Sequence, residues 1–467
     1  LGSVRAEKKK QRGAEVSVTS KRAGNIFVNG EDIDLDVKFT SCLYKKEEYT
    51  VSYTVKNRLT DDVVWTGEDS FELGAEKSVT RKVKYTPEQF GLFVLKTEVT
   101  SKNGTYSSIE ESKFSYSMFN SDMPLNEEYG TCVHFTERDS AAVVPLMAMT
   151  GMKYARDGCD WDRYETSKGV FKFLPAWDRY VGDIKKSNLS PLMVLAGTNM
   201  LYQKRHSLPE TPEELEAYGR YVYNIVSALG DRCNMYEVWN EPNLKSFSDD
   251  TSPEAYVPVL KVAYANVKKA NPNAIVMGCA TAGIDNEYFE RVFEMGGADY
   301  MDILSYHYYF LDHKVMDDFV SLYDRLKKVD DLVEKYKPSL KMVITEYGWA
   351  TNTNPTTRKL KSDNYLKTMA IYKKLPRLIQ TYWYEFQDSG TDFIFRERNF
   401  GYVNYWENKD PYAAEQVYCS TAAYNSIINS SKLSDMYENG NTYVYKYGKN
   451  FRGNNSMMMW EENGASE

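Results

Sequence analysis

From Tyr129 onward the chain repeats one pattern: a short apolar run that reads as a strand, then a longer segment with helical periodicity. The strand-like runs are YGTCVHF (from Tyr129), MKYAR (Met152), SPLMVLAG (Ser190), MYEVWN (Met235), NAIVMGC (Asn273), MDILSYH (Met301), KMVITE (Lys341) and IQTYWYEF (Ile379). About eight strand-then-helix units is the count of a (β/α)8 barrel. An open doubly wound sheet would usually carry a Gly-rich nucleotide loop after an early strand, and none stands there.

Two of the intervening helices are legible residue by residue. In TPEELEAYGRYVYNIVSALG, Thr211 caps the helix, Pro212 takes its first position, Glu214 completes a capping box and Gly230 ends it. Leu215, Tyr218, Val222, Ile225 and Leu229 keep one face apolar. Ser252 and Pro253 start the next helix in the same way, with Tyr256, Val259, Ala263 and Val267 on its buried stripe.

Before residue 120 the period is different. YTVSYTVKN and SVTRKVKYT alternate in the manner of half-buried strands, and FGLFVLKTEVTS follows at Phe90. Residues 15–118 therefore read as an immunoglobulin-like β-sandwich, the segment MFNSDMPLNEE as a linker, and residues 129–432 as the barrel. The tail 433–467 reads as accessory strands (NTYVYKYG, SMMMWEE), too short to fold alone and expected to pack on the barrel or the N-terminal module. The fold class expected is α/β: a TIM barrel preceded by a β-sandwich, with a short C-terminal β segment.

Composition narrows function. The net charge of -8 argues against a broad nucleic-acid or anionic-lipid surface, and no apolar run approaches the roughly 18 residues of a membrane span. Cys42, Cys132, Cys159, Cys233, Cys279 and Cys419 are scattered, with no metal-ligand spacing to the four histidines, so neither a metal nor another cofactor is expected. The chain opens on a basic, polar stretch without the apolar core of a signal peptide. Aromatic residues make up 14% of the chain, and rings of this kind can stack on the apolar faces of sugars as readily as they fill sheets.

In a barrel, chemistry sits at the carboxyl ends of the strands. Glu241 follows the fourth strand and Glu346 ends the seventh, so the topology brings two carboxylates to one rim. A single strand-end glutamate reads as a salt bridge or cap. Two on strands four and seven supply an acid for a leaving oxygen and a carboxylate for an oxocarbenium-like centre, the requirements of glycosidic bond cleavage.

The stretches WNEP at Trp239 and ITEYGWAT at Ile344 resemble the acid/base and nucleophile motifs of clan A glycoside hydrolases. GMKYARDGCDWDRYETSKGVFKF (from Gly151) and WYEFQDSGTDFIFRERNFGYVN (from Trp383) extend the likeness to glycoside hydrolase family 39 and its endoglycosidase-like relatives, over roughly residues 129–426. The resemblance implies Glu241 as general acid/base, Glu346 as nucleophile, Asn240 as donor to the sugar 2-hydroxyl, Arg156 beside the nucleophile, and His307 and Tyr309 as site residues. It also implies Trp383 as an aromatic platform under the sugar, against the alternative of a barrel-core tryptophan; if Trp383 faces the pocket, Trp161 and Trp349 are candidates for flanking subsites, and His134 is a candidate subsite residue by its position after strand one.

The activity that follows is retaining hydrolysis of a β-linked oligo- or polysaccharide, in a secreted, extracellular or periplasmic protein whose leader is absent from this sequence. A catalytically silent carbohydrate-binding barrel and a transglycosylase using the same glutamates are the alternatives. Lys204, Arg205 and His206, in the loop after strand three, allow an acidic glycan.

Overall fold

The structure is a computed structural model that describes residues 11–135, 141–309, 319–352 and 357–461. The basic stretch before Gln11 and His313 lie outside the described residues.

The chain divides into two compact units, 1–121 with 403–423, and 122–402 with 424–467. The first unit is a two-sheet sandwich. One sheet joins Ala14–Thr19, Ile33–Ser41 and Ser78–Tyr85; the other orders Ile26–Val28, Ser107–Ser117, Gly91–Ser101, Glu47–Asn57 and Val63–Leu73. Alternation makes the sandwich: Ile33, Leu35, Val37 and Phe39 point inward from one sheet, and Tyr49, Val51, Tyr53 and Val55 from the other, into one shared core.

The second unit contains a closed barrel of eight parallel strands in chain order: Asn126–Cys132, Met152–Gly158, Ser190–Leu195, Met235–Val238, Ile275–Thr281, Ile303–His307, Lys341–Tyr347 and Leu378–Trp383. The fold class read from the sequence is the one observed. Helix Pro212–Leu229 begins at Thr211, whose side chain accepts from the Glu214 N–H while Glu214 reaches back, completing the capping box. Ser252 caps Pro253–Ala270 by accepting from the Ala255 N–H. A three-stranded antiparallel sheet, Leu433–Asn439, Thr442–Tyr447 and Ser456–Glu461, closes the described chain.

The barrel interior is a packed layer with chemistry above it. Cys132, Leu192, Met235, Met277, Ile303, Val343 and Tyr382 form one buried cluster, with Tyr154 against it. Side chains alternate along a strand, so the residue two positions further on also faces inward. That step leads from Tyr154 to Arg156, from Met235 to Glu237 and from Tyr382 to Tyr384, toward the carboxyl ends of the strands.

Candidate active site

Arg156, at the end of barrel strand two and 6% exposed, organises the centre. Its Nε donates to Glu237 Oε2 at 2.6 Å, its Nη1 to Glu346 Oε1 at 2.6 Å and its Nη2 to Asn240 Oδ1 at 2.9 Å. These are charge-assisted contacts in a buried setting, where a fixed guanidinium fork is worth most. Glu346, in strand seven where its pairing with both neighbouring strands shifts register, also accepts from Tyr309 Oη at 2.6 Å.

Glu241 is placed by different means. It lies in the loop after strand four, where Trp239 and Glu241 have φ of 68° and 45°, and the facing residues Cys279 and Ala280 have 83° and 44°. The Glu241 N–H donates to the Ala280 carbonyl at 2.9 Å, tying the two left-handed segments together. Such conformations cost about 1–3 kcal/mol each and persist where the surroundings impose them. The Glu241 carboxylate Oε1 meets His307 Nδ1 at 2.7 Å, and the same nitrogen is 3.5 Å from Glu346 Oε2. Glu241, His307 and Glu346 each present a ligand-type atom within 4.8 Å of the others. As a metal site this trio is disfavoured by the Arg156 cation already bound to Glu346.

Electrostatics keeps Glu346 ionised. Burial alone would push the Glu346 carboxyl up, but the His307 and Arg156 charges, with hydrogen bonds from Tyr309 and Arg156, hold it below the usual carboxylate value. For fully buried His307, desolvation opposes the charged form, yet the Glu346 charge and the hydrogen bond to Glu241 raise it above the ordinary imidazole value. Burial, and then the Glu346 charge, push the Tyr309 phenol well up, so it stays protonated and donates.

Six of the expected residues thus converge: Glu241, Glu346, Asn240, Arg156, His307 and Tyr309. His134 stands beside them. Its ring meets Tyr384 edge-on, Tyr384 meets Tyr309 edge-on, and His134 Nε2 is 3.4 Å from Glu385 Oε2.

The three tryptophans are not sugar-facing surfaces. Trp383 is fully buried, packed against Tyr347, Trp349, Tyr365 and Tyr402, with its Nε1 donating to the Phe400 carbonyl. Strand parity explains this: Tyr382 faces the barrel interior, so Trp383 faces the surrounding helices. Half-buried Tyr384, the next residue, points toward the site, and its carbonyl crosses so close to Gly348 that a Cβ there would collide with it. Trp161 is fully buried, stacked with Tyr202 and Tyr221, and donates to Glu165. Trp349, 3% exposed, packs on Trp383. In the loop after strand three, Arg205 is paired with Glu210, which leaves less of its charge for a ligand.

Two residues escaped the sequence reading. Glu237 is fully buried with one oxygen on Arg156, and a carboxylate inside the apolar run MYEVWN was the signal for it. Tyr384 is the other, and strand parity was the signal.

No protein-family model matches the chain. A structure of a family 39 glycoside hydrolase from the gut symbiont Bacteroides cellulosilyticus WH2 superimposes with a TM-score of 0.79 over 96% of this chain and 90% of that one, at 19% identity. A monomeric β-xylosidase from Caulobacter crescentus CB15 does so with a TM-score of 0.53 over 70% and 74%, at 18% identity. In sequence, 129 residues are 28% identical to a β-xylosidase of Geobacillus stearothermophilus, a match covering 24% of this chain and 26% of that enzyme. The likeness to family 39 expected from the motifs is therefore found at the level of fold across nearly the whole chain.

Proposed function

We propose that the chain is a retaining glycoside hydrolase that cleaves a β-linked oligo- or polysaccharide by double displacement. The observation that carries this is the pairing of Glu241 and Glu346 at the barrel mouth with oxygens within 4.8 Å of one another. Carboxyl groups about 5 to 5.5 Å apart suit a covalent route, whereas about 6.5 to 9.5 Å leaves room for the water of an inverting enzyme.

Glu346, kept ionised by Arg156 and oriented by Tyr309, attacks the anomeric carbon as Glu241 gives its proton to the leaving oxygen. The bond to the leaving group breaks as the glycosyl–Glu346 ester forms. Glu241, now a carboxylate, takes a proton from water, which attacks the same carbon and releases Glu346. Asn240 has its carbonyl fixed by Arg156, which orients its amide N–H groups as donors to the sugar 2-hydroxyl. Tyr384, between His134 and Tyr309, replaces Trp383 as the ring beneath the sugar. The β-xylosidase relatives make a xylosyl unit the first substrate to try.

The test is a panel of 4-nitrophenyl β-glycosides (xyloside, glucoside, galactoside, glucuronide, arabinoside), with the first-formed sugar followed by proton NMR. A β-anomer appearing before mutarotation is the expected result; an α-anomer would overturn the double displacement.

A further inference from the structure

The loop that leaves barrel strand eight carries a surface that the two glutamates do not use. Phe393, Ile394 and Phe395 are 71%, 69% and 53% exposed, three successive large apolar side chains turned to solvent. Exposed apolar runs of this kind mark recognition surfaces.

The segment is built. Asn399 Nδ2 donates to the carbonyls of Asp392 (3.0 Å) and Phe395 (2.8 Å), the Ile394 N–H to Asp392 Oδ1 (2.9 Å) and Ser389 Oγ to the Glu397 carbonyl (2.8 Å). It is also fastened to the exit of strand seven. The Thr351 N–H donates to the Asn399 carbonyl at 3.0 Å and Asn352 Nδ2 to that of Ile394 at 3.1 Å. The strand that ends at Glu346 and Tyr347 therefore leads into the residues that hold the apolar tip in place.

A chain of contacts joins the tip to the glutamates. The Arg396 guanidinium lies 5.4 Å from the centre of the Phe400 ring, and Phe400 meets Tyr309 at 5.9 Å and Tyr384 at 5.5 Å, both edge-on. Tyr309 is the donor to Glu346. Arg398 lies 5.5 Å from the centre of the Phe395 ring. Among the described residues neither arginine has a carboxylate partner, so their N–H groups are available.

We propose that residues 392–398 form a second sugar-binding site, a wedge that takes one unit of an oligosaccharide beyond the unit held at the glutamates. Phe393 and Phe395 offer flat faces to the sugar's C–H groups, and Arg396 and Arg398 donate to its hydroxyls. Three features select a sugar chain as occupant. The wedge rises from a strand's carboxyl end, the face where the paired glutamates lie. It is continuous with them through Phe400, and its mixture of ring faces and N–H donors matches the alternating C–H and hydroxyl surface of a pyranose. The inference rests on the glycosidase reading and adds where a further unit of the chain is held.

The experiment compares kcat/KM on 4-nitrophenyl β-glycosides carrying one and three units of the sugar that the panel identifies. The wild type should prefer the three-unit substrate. Phe393→Ala/Phe395→Ala should stay within about twofold of wild type on the one-unit substrate and lose about tenfold on the three-unit substrate, through KM. Should the double variant unfold early, Phe393→Ala alone carries the same comparison. Sedimentation and flotation with anionic vesicles are run alongside. Equal losses on both substrates, no chain-length preference in the wild type, or a variant whose sole change is lost self-association or vesicle binding would overturn the wedge. Absence of turnover on every aryl glycoside would instead remove the glycosidase reading beneath it.

Discussion

Glu346 and Glu241 face one another in the barrel mouth and are held in opposite ways. Glu346 lies within a strand, with no left-handed residue beside it, and is fixed by a buried guanidinium and a phenol at 2.6 Å each. Glu241 stands on left-handed backbone, tied to a second left-handed segment, and its carboxylate bonds an imidazole at 2.7 Å. On the proposed mechanism the first residue must keep its charge until it attacks, and the second must give and take a proton in each turnover. The fold spends its strong, directional contacts on the residue that must stay ionised, and its backbone strain on aiming the one that exchanges protons.

The largest test of that contrast replaces each carboxylate in turn. Glu346→Gln should lower kcat by about 10⁴-fold or more on every substrate, because no nucleophile remains. Glu241→Gln should cost about 10² to 10⁴-fold where the leaving group is poor and far less for 4-nitrophenol, which departs with little proton help. Equal losses across leaving groups would erase the distinction.

Next in size is the guanidinium. Arg156→Met strips the cation from Glu237 and Glu346 together, and breaking a buried pair on one side costs about 3–5 kcal/mol. Thermal or denaturant unfolding should show that loss, along with a raised acidic limb of kcat/KM as Glu346 loses one of the two charges, with His307, that hold it ionised. His307→Gln removes the partner of Glu241 and should act more on poor leaving groups than on stability. An Arg156→Met variant as stable as wild type would mean that the clamp is ornamental.

Much of this was readable before the structure because it depends on chain order. Strand and helix periods count out a barrel, barrels put chemistry at strand ends, and glutamates after strands four and seven must then share a rim. Thr211, Glu214 and Ser252 were legible for a similar reason: a cap is a local hydrogen bond written within four residues. What failed to read was orientation. Trp383 and Tyr384 are neighbours of similar chemistry, and which one faces inward depends on the register of strand eight, fixed by Tyr382 packing with Met235, Met277 and Val343 from distant parts of the chain. Glu237 was passed over because the apolar run around it signals only that the carboxylate is buried, and its partner, an arginine 81 residues away, is brought to it by the barrel and not by any local pattern.

A smaller effect follows from acid. Glu346 has its folded-state value below the ordinary 4.5, despite burial, because of His307 and Arg156. A carboxyl depressed on folding stabilises the protein above its unfolded value, and that contribution disappears as pH falls through the folded value. The thermal transition should therefore decline below about pH 4.5, and part of the decline should vanish in Glu346→Gln while persisting in Glu241→Gln. Identical acid profiles in the two variants would place the sensitivity elsewhere.

The smallest expected effect is at Glu237, and it separates positioning from scaffolding. Glu237→Gln keeps an oxygen that can accept from Arg156 Nε, so the guanidinium stays oriented and the stability cost should be about 1–3 kcal/mol. What is lost is a negative charge on the far side of Arg156 from Glu346. With that counter-charge gone the guanidinium acts more fully on Glu346, lowering its affinity for a proton and its basicity as a nucleophile. The acidic limb of kcat/KM should move to lower pH while the plateau falls modestly, the reverse of the shift expected for Arg156→Met. Glu237→Ala, which removes the acceptor as well, should add a loss on the plateau that Glu237→Gln does not show. If both variants lose stability yet leave the acidic limb where it is, Glu237 is a structural partner of Arg156 and has no hand in the ionisation of Glu346.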